Sequence, residues 1–125
     1  MKEKPYDWKA SVDENVRMGF VELMILQILT ESDAYCYEMK KAIIERTGGV
    51  FSFAESSLYI PLIRMTDRGL ISSRRETVTG KRFRTYYHIE APGREYLAYG
   101  KAQCALVFGA VSDLLSGKKE DDNHD

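Results

Sequence analysis

The stretch that decides the fold runs from Phe53 to His88 and begins FAESSLYIPLIRMTDRGLI. In its first part Leu58, Leu62 and Met65 recur at intervals of three to four residues. This spacing places their side chains on one face of an α-helix. We therefore predict an amphipathic helix here, with its apolar face turned towards a core.

Two short strand-like runs follow this predicted helix. Gly69 falls where the helix should end, since glycine adopts the left-handed conformation at low cost. The run from Ile71 to Val78 is rich in Ser, Thr and Arg, and the run from Phe83 to Ile89 alternates as a half-buried strand does. Helix, tight turn and two-stranded hairpin is the element order of a winged helix. The predicted fold is therefore mainly α with a small β-hairpin (α+β).

Positive charge is concentrated in the same stretch. Between residues 64 and 84 there are seven basic residues and two acidic ones, a local charge of +5 in a chain whose net charge is −1. The basic residues are Arg64, Arg68, Arg74, Arg75, Lys81, Arg82 and Arg84. A cluster of this kind on a helix–hairpin pattern favours binding to a polyanion. The alternative is that the charges solvate an exposed hairpin edge and guard it against pairing with other chains.

Length and composition favour one cytoplasmic domain. The 125 residues contain no apolar run long enough to span a membrane, and the first residues lack the apolar segment of a signal peptide. Cys36 and Cys104 lie far apart, which indicates free thiols. Neither His88 nor His124 has acidic or cysteine neighbours at metal-ligand spacing, and no catalytic set is recognisable. No enzyme activity, metal or cofactor is expected.

The segment before this stretch supplies two helices. Residues 1–17 carry Trp8, Val12 and Val16 at four-residue spacing, which predicts an amphipathic arm with Trp8 packed on a dimer core. Residues 20–29 are apolar on nearly every face, so this helix should be buried on two sides, with a partner subunit on one of them. Ser32 or Asp33 is expected to cap the following helix, which should end near Thr47.

The helix that follows would enter the major groove of DNA if the chain contains a helix-turn-helix. We expect it to begin near Glu55 and to be distorted by Pro61, which removes an intrahelical hydrogen bond. Residues predicted to probe bases are Ser56, Ser57 and Ile60, and those predicted to hold the phosphate backbone are Tyr37, Lys40, Tyr59, Arg64, Lys81, Arg82 and Arg84. For Tyr37, half-buried packing is an equal alternative.

The C-terminal helix has the pattern of a dimer seam. From Pro92, apolar or small residues recur at spacings of 3-4-3-4-3, namely Leu97, Gly100, Cys104, Val107, Val111 and Leu114, with Phe108 in a neighbouring row. This heptad repeat predicts a coiled-coil-like dimer helix with close approach at Gly100. Together with Trp8 and Phe20 these residues form the predicted dimer interface. The predicted divisions are residues 1–17 (arm), 18–90 (winged helix), 91–117 (dimerisation helix) and 118–125 (disordered acidic tail).

Several of these motifs together resemble the PadR family of bacterial transcriptional regulators. They are Ser57-Leu58-Tyr59 followed by Leu62, Arg64 and Arg68-Gly69-Leu70-Ile71, then Gly80-Lys81-Arg82 and Tyr86-Tyr87, with Tyr35–Lys40 upstream and Ala91–Leu97 downstream. The resemblance covers roughly residues 18 to 115. It implies a homodimeric winged-helix repressor that binds a pseudo-palindromic operator in double-stranded DNA, and a phosphate contact for Tyr37.

The resemblance also implies a small aromatic or phenolic effector at the dimer interface. Residues that would line its pocket are Trp8, Tyr96, Tyr99, Cys104 and Phe108. The alternative is that these side chains only fill the dimer core. Two further alternatives remain for the whole protein: a winged-helix module that contacts other proteins, and a DNA-binding protein without sequence preference.

Overall fold

The computed structural model describes residues 5–17, 19–117 and 119, without the side chains of Trp8 and residues 13–16. Within these residues the chain forms five α-helices and three strands. The helices are α1 (Trp8–Arg17), α2 (Val21–Glu31), α3 (Cys36–Arg46), α4 (Tyr59–Asp67) and α5 (Ala91–Leu115). The strands are β1 (Ala34–Tyr35), β2 (Ile71–Thr79) and β3 (Arg82–Ile89). The predicted roles of Trp8 and of the tail from residue 120 lie outside the described residues.

A three-stranded antiparallel sheet forms the wing, in the order β1-β3-β2. Strands β2 and β3 pair from Ile71 opposite Ile89 towards the turn, which confirms the predicted hairpin. Ala34 and Tyr35 pair with Tyr87 and Tyr86 as a third strand that the sequence did not predict. A two-residue strand is too short to show alternation. The mainly helical winged-helix fold is confirmed.

The core lies between α2, α3, α4 and the base of the sheet. Its buried side chains are Ile25, Leu26, Ile28, Leu29, Ala34, Met39, Ile43, Leu58, Leu62, Met65, Leu70, Ile71, Ile89 and Leu97. The periodic residues of the predicted α4, Leu58, Leu62 and Met65, are all fully buried. Burying side chains of this size contributes about 1.5–3 kcal/mol each, so this apolar face holds α4 on the domain.

The start of α4 differs from the prediction. Glu55–Leu58 form a 3-10 turn, and the α-helix begins at Tyr59. Pro61 therefore lies in the first helical turn, where backbone N–H groups have no intrahelical acceptor to lose. The 3-10 turn is a local departure from α-helical geometry next to Pro61, in line with the predicted distortion. At the other end Gly69 has a φ of 75° and ends the helix as predicted.

The turn before α3 also differs from the prediction. Neither Ser32 nor Asp33 caps α3; the N-cap residue is Tyr35, whose backbone N–H donates to Glu38 Oε1 at 3.2 Å. Asp33 instead accepts hydrogen bonds from Arg74 and His88 in the sheet. Its carboxylate therefore joins the α2–β1 turn to the wing.

Helix α5 packs on α2 of the same chain through its first half. Leu97 is only 4% exposed and belongs to the core of its own subunit. A Cβ on Gly100 would lie 2.4 Å from Leu23 Cδ2, so the close approach at Gly100 is with α2. The assignment of Leu97 and Gly100 to a dimer seam was therefore wrong, because α2 and the core already occupy this face. Among the described residues, no helix has the length and apolar character needed to cross a membrane.

Candidate nucleic-acid interface

A cleft of about 360 Å³ opens between the start of α3, the 3-10 turn and β3, and we call it the wing cleft. Its lining consists of Tyr35, Cys36, Tyr37, Glu55, Tyr59, Arg84, Thr85 and Tyr87. Three residues predicted to contact phosphates, Tyr37, Tyr59 and Arg84, are thus brought to one site by three different elements. Tyr37 and Tyr59 are each about half exposed, at 51% and 49%.

Aromatic rings hold the cationic side chain of this cleft. The Arg84 guanidinium lies over the Tyr35 ring, with its carbon 4.3 Å from the ring centroid. The Tyr35 ring is stacked with that of Tyr37, with centroids 6.4 Å apart. A cation over an aromatic face is attracted by the ring quadrupole. This contact orients Arg84, and because the ring carries no formal charge, the guanidinium keeps its positive charge for an anionic ligand.

An acidic residue also lines the wing cleft, and the sequence did not identify it as part of a site. Tyr59 donates its hydroxyl to Glu55 Oε2 at 3.4 Å. The negative charge of Glu55 is the main cause that raises the pKa of Tyr59 above its ordinary value. The Tyr59 phenol is therefore a neutral hydrogen-bond donor at physiological pH. Glu55 places a carboxylate beside it at the start of the 3-10 turn and α4 (Glu55–Asp67), which we call the recognition segment because it contains the residues predicted to contact bases.

The Cys36 thiol in this cleft is protonated and unreactive at neutral pH. Burial is the main cause that raises the pKa of its thiol to about 11, and the charge of Glu55 adds to it. Its Sγ lies 3.6 Å from the Glu55 backbone oxygen. Since the thiolate is the reactive form, this residue is a small packing side chain at neutral pH.

The exposed side chains of the recognition segment that are predicted to contact bases are uncharged. Ser56 and Ser57 of the 3-10 turn are exposed, and Ile60 and Ile63 of α4 are 67% and 58% exposed. Ile60 lies on the side of α4 opposite the buried Leu62 and Met65, as predicted. Ile63 was not predicted as a site residue, although its position one helical turn after Ile60 would have indicated it.

Arg64, which is predicted to contact phosphate, is paired with an acidic residue of its own chain. Its Nε atom is 2.9 Å from Glu22 Oε1 of α2, and the Glu22 side chain is only 16% exposed. This ion pair attaches α4 to α2. The phosphate contact of Arg64 stays a prediction.

The remaining predicted phosphate contacts lie on the wing and on α3. Lys81 and Arg82 are exposed at the hairpin turn, where Gly80 adopts a φ of 54°. Lys40 is half-buried on α3. The Arg75 guanidinium covers the Phe83 ring at 4.7 Å, which extends the basic surface along the outer hairpin.

Comparison with known sequences decides the family. The model of the "Transcriptional regulator PadR-like family" matches residues 25–99, which contain the whole helix–turn–hairpin unit. The chain belongs to the PadR-like family of transcriptional regulators. An uncharacterized protein of Lysinibacillus sphaericus is 30% identical over 106 residues, 85% of this chain and 97% of that protein.

Solved structures of PadR-like proteins have the same fold. A PadR family regulator from Eggerthella lenta superposes with a TM-score of 0.77 at 25% identity, covering 90% of this chain and 96% of that one. A transcriptional regulator from Clostridium thermocellum gives a TM-score of 0.73 at 29% identity, with 79% and 96% covered. Bacillus subtilis PadR in complex with operator DNA gives 0.60 at 25% identity, with 65% of this chain and 45% of that one covered.

This PadR-like chain has a second concave surface between α2 and α5, which we call the α2–α5 groove. Its volume is about 400 Å³, and its lining is Gly19, Phe20, Leu23, Tyr96, Tyr99, Gly100, Gln103, Cys104, Val107 and Phe108. Four predicted pocket residues, Tyr96, Tyr99, Cys104 and Phe108, are thus brought together. The fifth, Trp8, has a side chain outside the described residues. The Phe20 and Phe108 rings are 5.1 Å apart.

The second half of α5 exposes a row of apolar side chains. Val107, Phe108, Val111, Leu114 and Leu115 are between 47% and 78% exposed. Val107, Val111 and Leu114 belong to the predicted seam. This half of the helix extends past the core of its own chain, in contrast to Leu97 and Gly100.

Proposed function

We propose that this PadR-like protein is a sequence-specific transcriptional repressor that binds a pseudo-palindromic operator as a homodimer in the cytoplasm. The observation that carries the proposal is the wing cleft. This cleft brings together Tyr37 of α3, Tyr59 of α4 and Arg84 of β3, whose side chains can donate hydrogen bonds to phosphate. It lies beside the uncharged side chains of Ser56, Ser57 and Ile60.

The division of roles follows from the chemistry of each side chain. Ser56, Ser57 and Ile60 face outwards at the start of the recognition segment, where helix-turn-helix proteins contact base edges. Tyr37, Tyr59 and Arg84 border this surface and are suited to phosphate oxygens, which accept hydrogen bonds from phenol and guanidinium groups. Lys40, Lys81 and Arg82 extend the basic surface to either side. The operator complex of Bacillus subtilis PadR supports this arrangement by likeness of fold.

Dimerisation is proposed from the exposed row on α5. Val107, Phe108, Val111 and Leu114 continue the face that packs on α2 earlier in the helix, so a second copy would extend an existing apolar contact. An apolar row of this size on a solvated helix is unfavourable unless another surface covers it. Two recognition helices related by a two-fold axis would then meet major grooves about 34–36 Å apart.

An aromatic effector is proposed for the α2–α5 groove. The volume of about 400 Å³ lies within the range of small-molecule sites, and aromatic side chains line it. The alternative occupant is the partner subunit's side chains, which would fill the same space when the dimer forms. Titration of phenolic compounds followed by tyrosine fluorescence and by operator affinity distinguishes the two, because only a bound effector changes both.

The test of the main proposal is selection of binding sites from a random duplex pool at two salt concentrations. Recovery of an inverted repeat that persists at the higher salt is the expected result. Retention that disappears with salt and enriches no motif would leave a DNA-binding protein without sequence preference. Absence of retention at both concentrations would favour the protein-contact module.

A further inference from the structure

One carboxylate, that of Glu22, connects the α2–α5 groove with the recognition helix. Glu22 Oε1 lies 2.9 Å from Arg64 Nε on α4, and Tyr96 of α5 donates its hydroxyl to Glu22 Oε2 at 3.2 Å. Tyr96 lines the groove, and Arg64 lies on the helix whose outer face carries Ile60. The two carboxylate oxygens of Glu22 thus bind α4, which is proposed to contact DNA, and α5, which lines the proposed effector groove.

The surroundings of Glu22 favour a charged carboxylate that is hydrogen-bonded. Its side chain is 16% exposed and lies in the first turn of α2, where the helix dipole favours an anion. Because little water reaches this carboxylate, withdrawing one of its two donors costs free energy. Burial is the main cause that raises the pKa of Tyr96, so its hydroxyl remains a donor to Glu22 at neutral pH.

We propose that Glu22 is a positioning residue that couples the Tyr96 hydroxyl in the groove to Arg64 and thereby sets the orientation of α4 for operator binding. This inference rests on the proposed function, because it needs α4 to contact DNA. Glu22 and Tyr96 do not themselves contact the operator. A groove ligand that takes the Tyr96 hydroxyl from Glu22 would act on α4 through this contact.

Matched phenylalanine variants test the coupling. Tyr96→Phe removes the hydroxyl that Glu22 accepts and keeps the ring. Tyr6→Phe also removes a hydroxyl that donates a hydrogen bond, in this case to Ser11 Oγ at 3.0 Å, on a side chain to which no ligand contact is assigned. We expect Tyr96→Phe to lower affinity for the selected operator by about threefold to tenfold, the range of one net hydrogen bond, and Tyr6→Phe to leave it unchanged.

The ratio of operator affinity to affinity for a scrambled duplex separates positioning from loss of stability. A partly unfolded variant binds both duplexes less well by the same factor, whereas a misplaced recognition helix loses affinity for the operator alone. In a Glu22→Ala background, Tyr96→Phe should have no further effect, because the acceptor is already absent.

Each outcome has one meaning. If the wild-type protein binds no selected sequence, the proposed function itself fails. If it binds an operator and Tyr96→Phe leaves the affinity ratio equal to that of the wild type, the coupling through Glu22 is wrong and the proposed function stands. Equal losses in Tyr96→Phe and Tyr6→Phe would also overturn the coupling, since the Tyr6 hydroxyl donates to Ser11 and not to Glu22.

Discussion

Asp33 Oδ1 accepts a hydrogen bond from His88 Nδ1 at 2.7 Å, and so joins the turn after α2 to strand β3. The second oxygen of the same carboxylate accepts from Arg74 of β2. The wing is therefore fixed to the helical part of the domain by a polar contact as well as by the short β1–β3 pairing. The position of the wing relative to α4 depends on the Asp33 hydrogen bonds and on the β1–β3 pairing.

Replacing Asp33 with Asn should make stability less dependent on acid pH. The hydrogen bond from His88 is the main cause that lowers the pKa of Asp33, and that from Arg74 is the second. A lowered folded-state pKa stabilises the protein above the unfolded value near 3.9, and this stabilisation is lost as the pH falls through the folded value. We expect Asp33→Asn to reduce the free energy of unfolding by about 0.5–1 kcal/mol at pH 7 and by less below pH about 4.

Urea unfolding at several pH values measures this difference. Glu76→Gln is the control, because Glu76 pairs with Arg74 at 2.8 Å within the same strand and joins no second element. An Asp33→Asn deficit that is equal at pH 7 and at pH 3 would contradict the role of the charged carboxylate.

Gly93→Ala should destabilise the domain through a backbone clash. A Cβ at this position would lie 2.2 Å from the Leu70 carbonyl oxygen and 2.9 Å from Ile89 Cγ1. The start of α5 must then move away from Leu70, which precedes β2, and from β3, at a cost of about 1–3 kcal/mol. Gly109→Ala in the same helix meets no atom within 4 Å and should stabilise it by about 0.5–1 kcal/mol. Thermal unfolding of both variants compares them, and equal melting temperatures would contradict the clash.

The periodic parts of this fold could be predicted from sequence, and the contacts between distant residues could not. Leu58, Leu62 and Met65 identify α4 because their spacing repeats within one element. The partner of Arg64 lies on α2, and charge alone does not show whether an arginine faces a phosphate or a carboxylate of its own chain. The same limit applies to Gly100, whose small size predicts a close approach without saying to which helix.

The ion pair between Arg64 and Glu22 leads to a contrast in salt dependence. Lys81→Ala and Arg82→Ala should each reduce the slope of log affinity against log salt concentration by about 0.9, as expected for one lost phosphate contact. Arg64→Ala should weaken operator binding without changing the slope, because its charge is paired with Glu22. Fluorescence anisotropy titrations over a series of salt concentrations give the slopes. A reduced slope for Arg64→Ala would identify it as a phosphate contact.

Val107→Glu should dissociate the proposed dimer. Val107 is 50% exposed within the row of apolar side chains on α5, and a buried carboxylate without a partner is strongly unfavourable. Ala102→Glu places the same charge at an exposed position on the opposite face of the helix and should have no effect. Light scattering should give twice the chain mass of 14.3 kDa for the control and the single chain mass for Val107→Glu. A dimer mass for both variants would exclude this row as the interface.

Ile60 should make the operator sensitive to thymine methyl groups. Its side chain is 67% exposed at the outermost point of α4, and an apolar group in the major groove is complementary to the C5-methyl of thymine. Replacing each operator thymine in turn with deoxyuridine removes only that methyl. We expect one position in each half-site to lose about 0.8 kcal/mol, or about fourfold in affinity, by the value of one buried methylene.

The Ile60→Ala variant completes this test, since it should bind the thymine and deoxyuridine operators equally at that position. Ile63→Ala, one helical turn away and 58% exposed, shows whether the effect belongs to Ile60 alone. If deoxyuridine weakens binding of wild type and Ile60→Ala by the same factor, the methyl is read by another residue. If no position responds to deoxyuridine, the exposed isoleucines do not contact thymine, and hydrogen bonds from Ser56 and Ser57 become the better explanation of sequence preference.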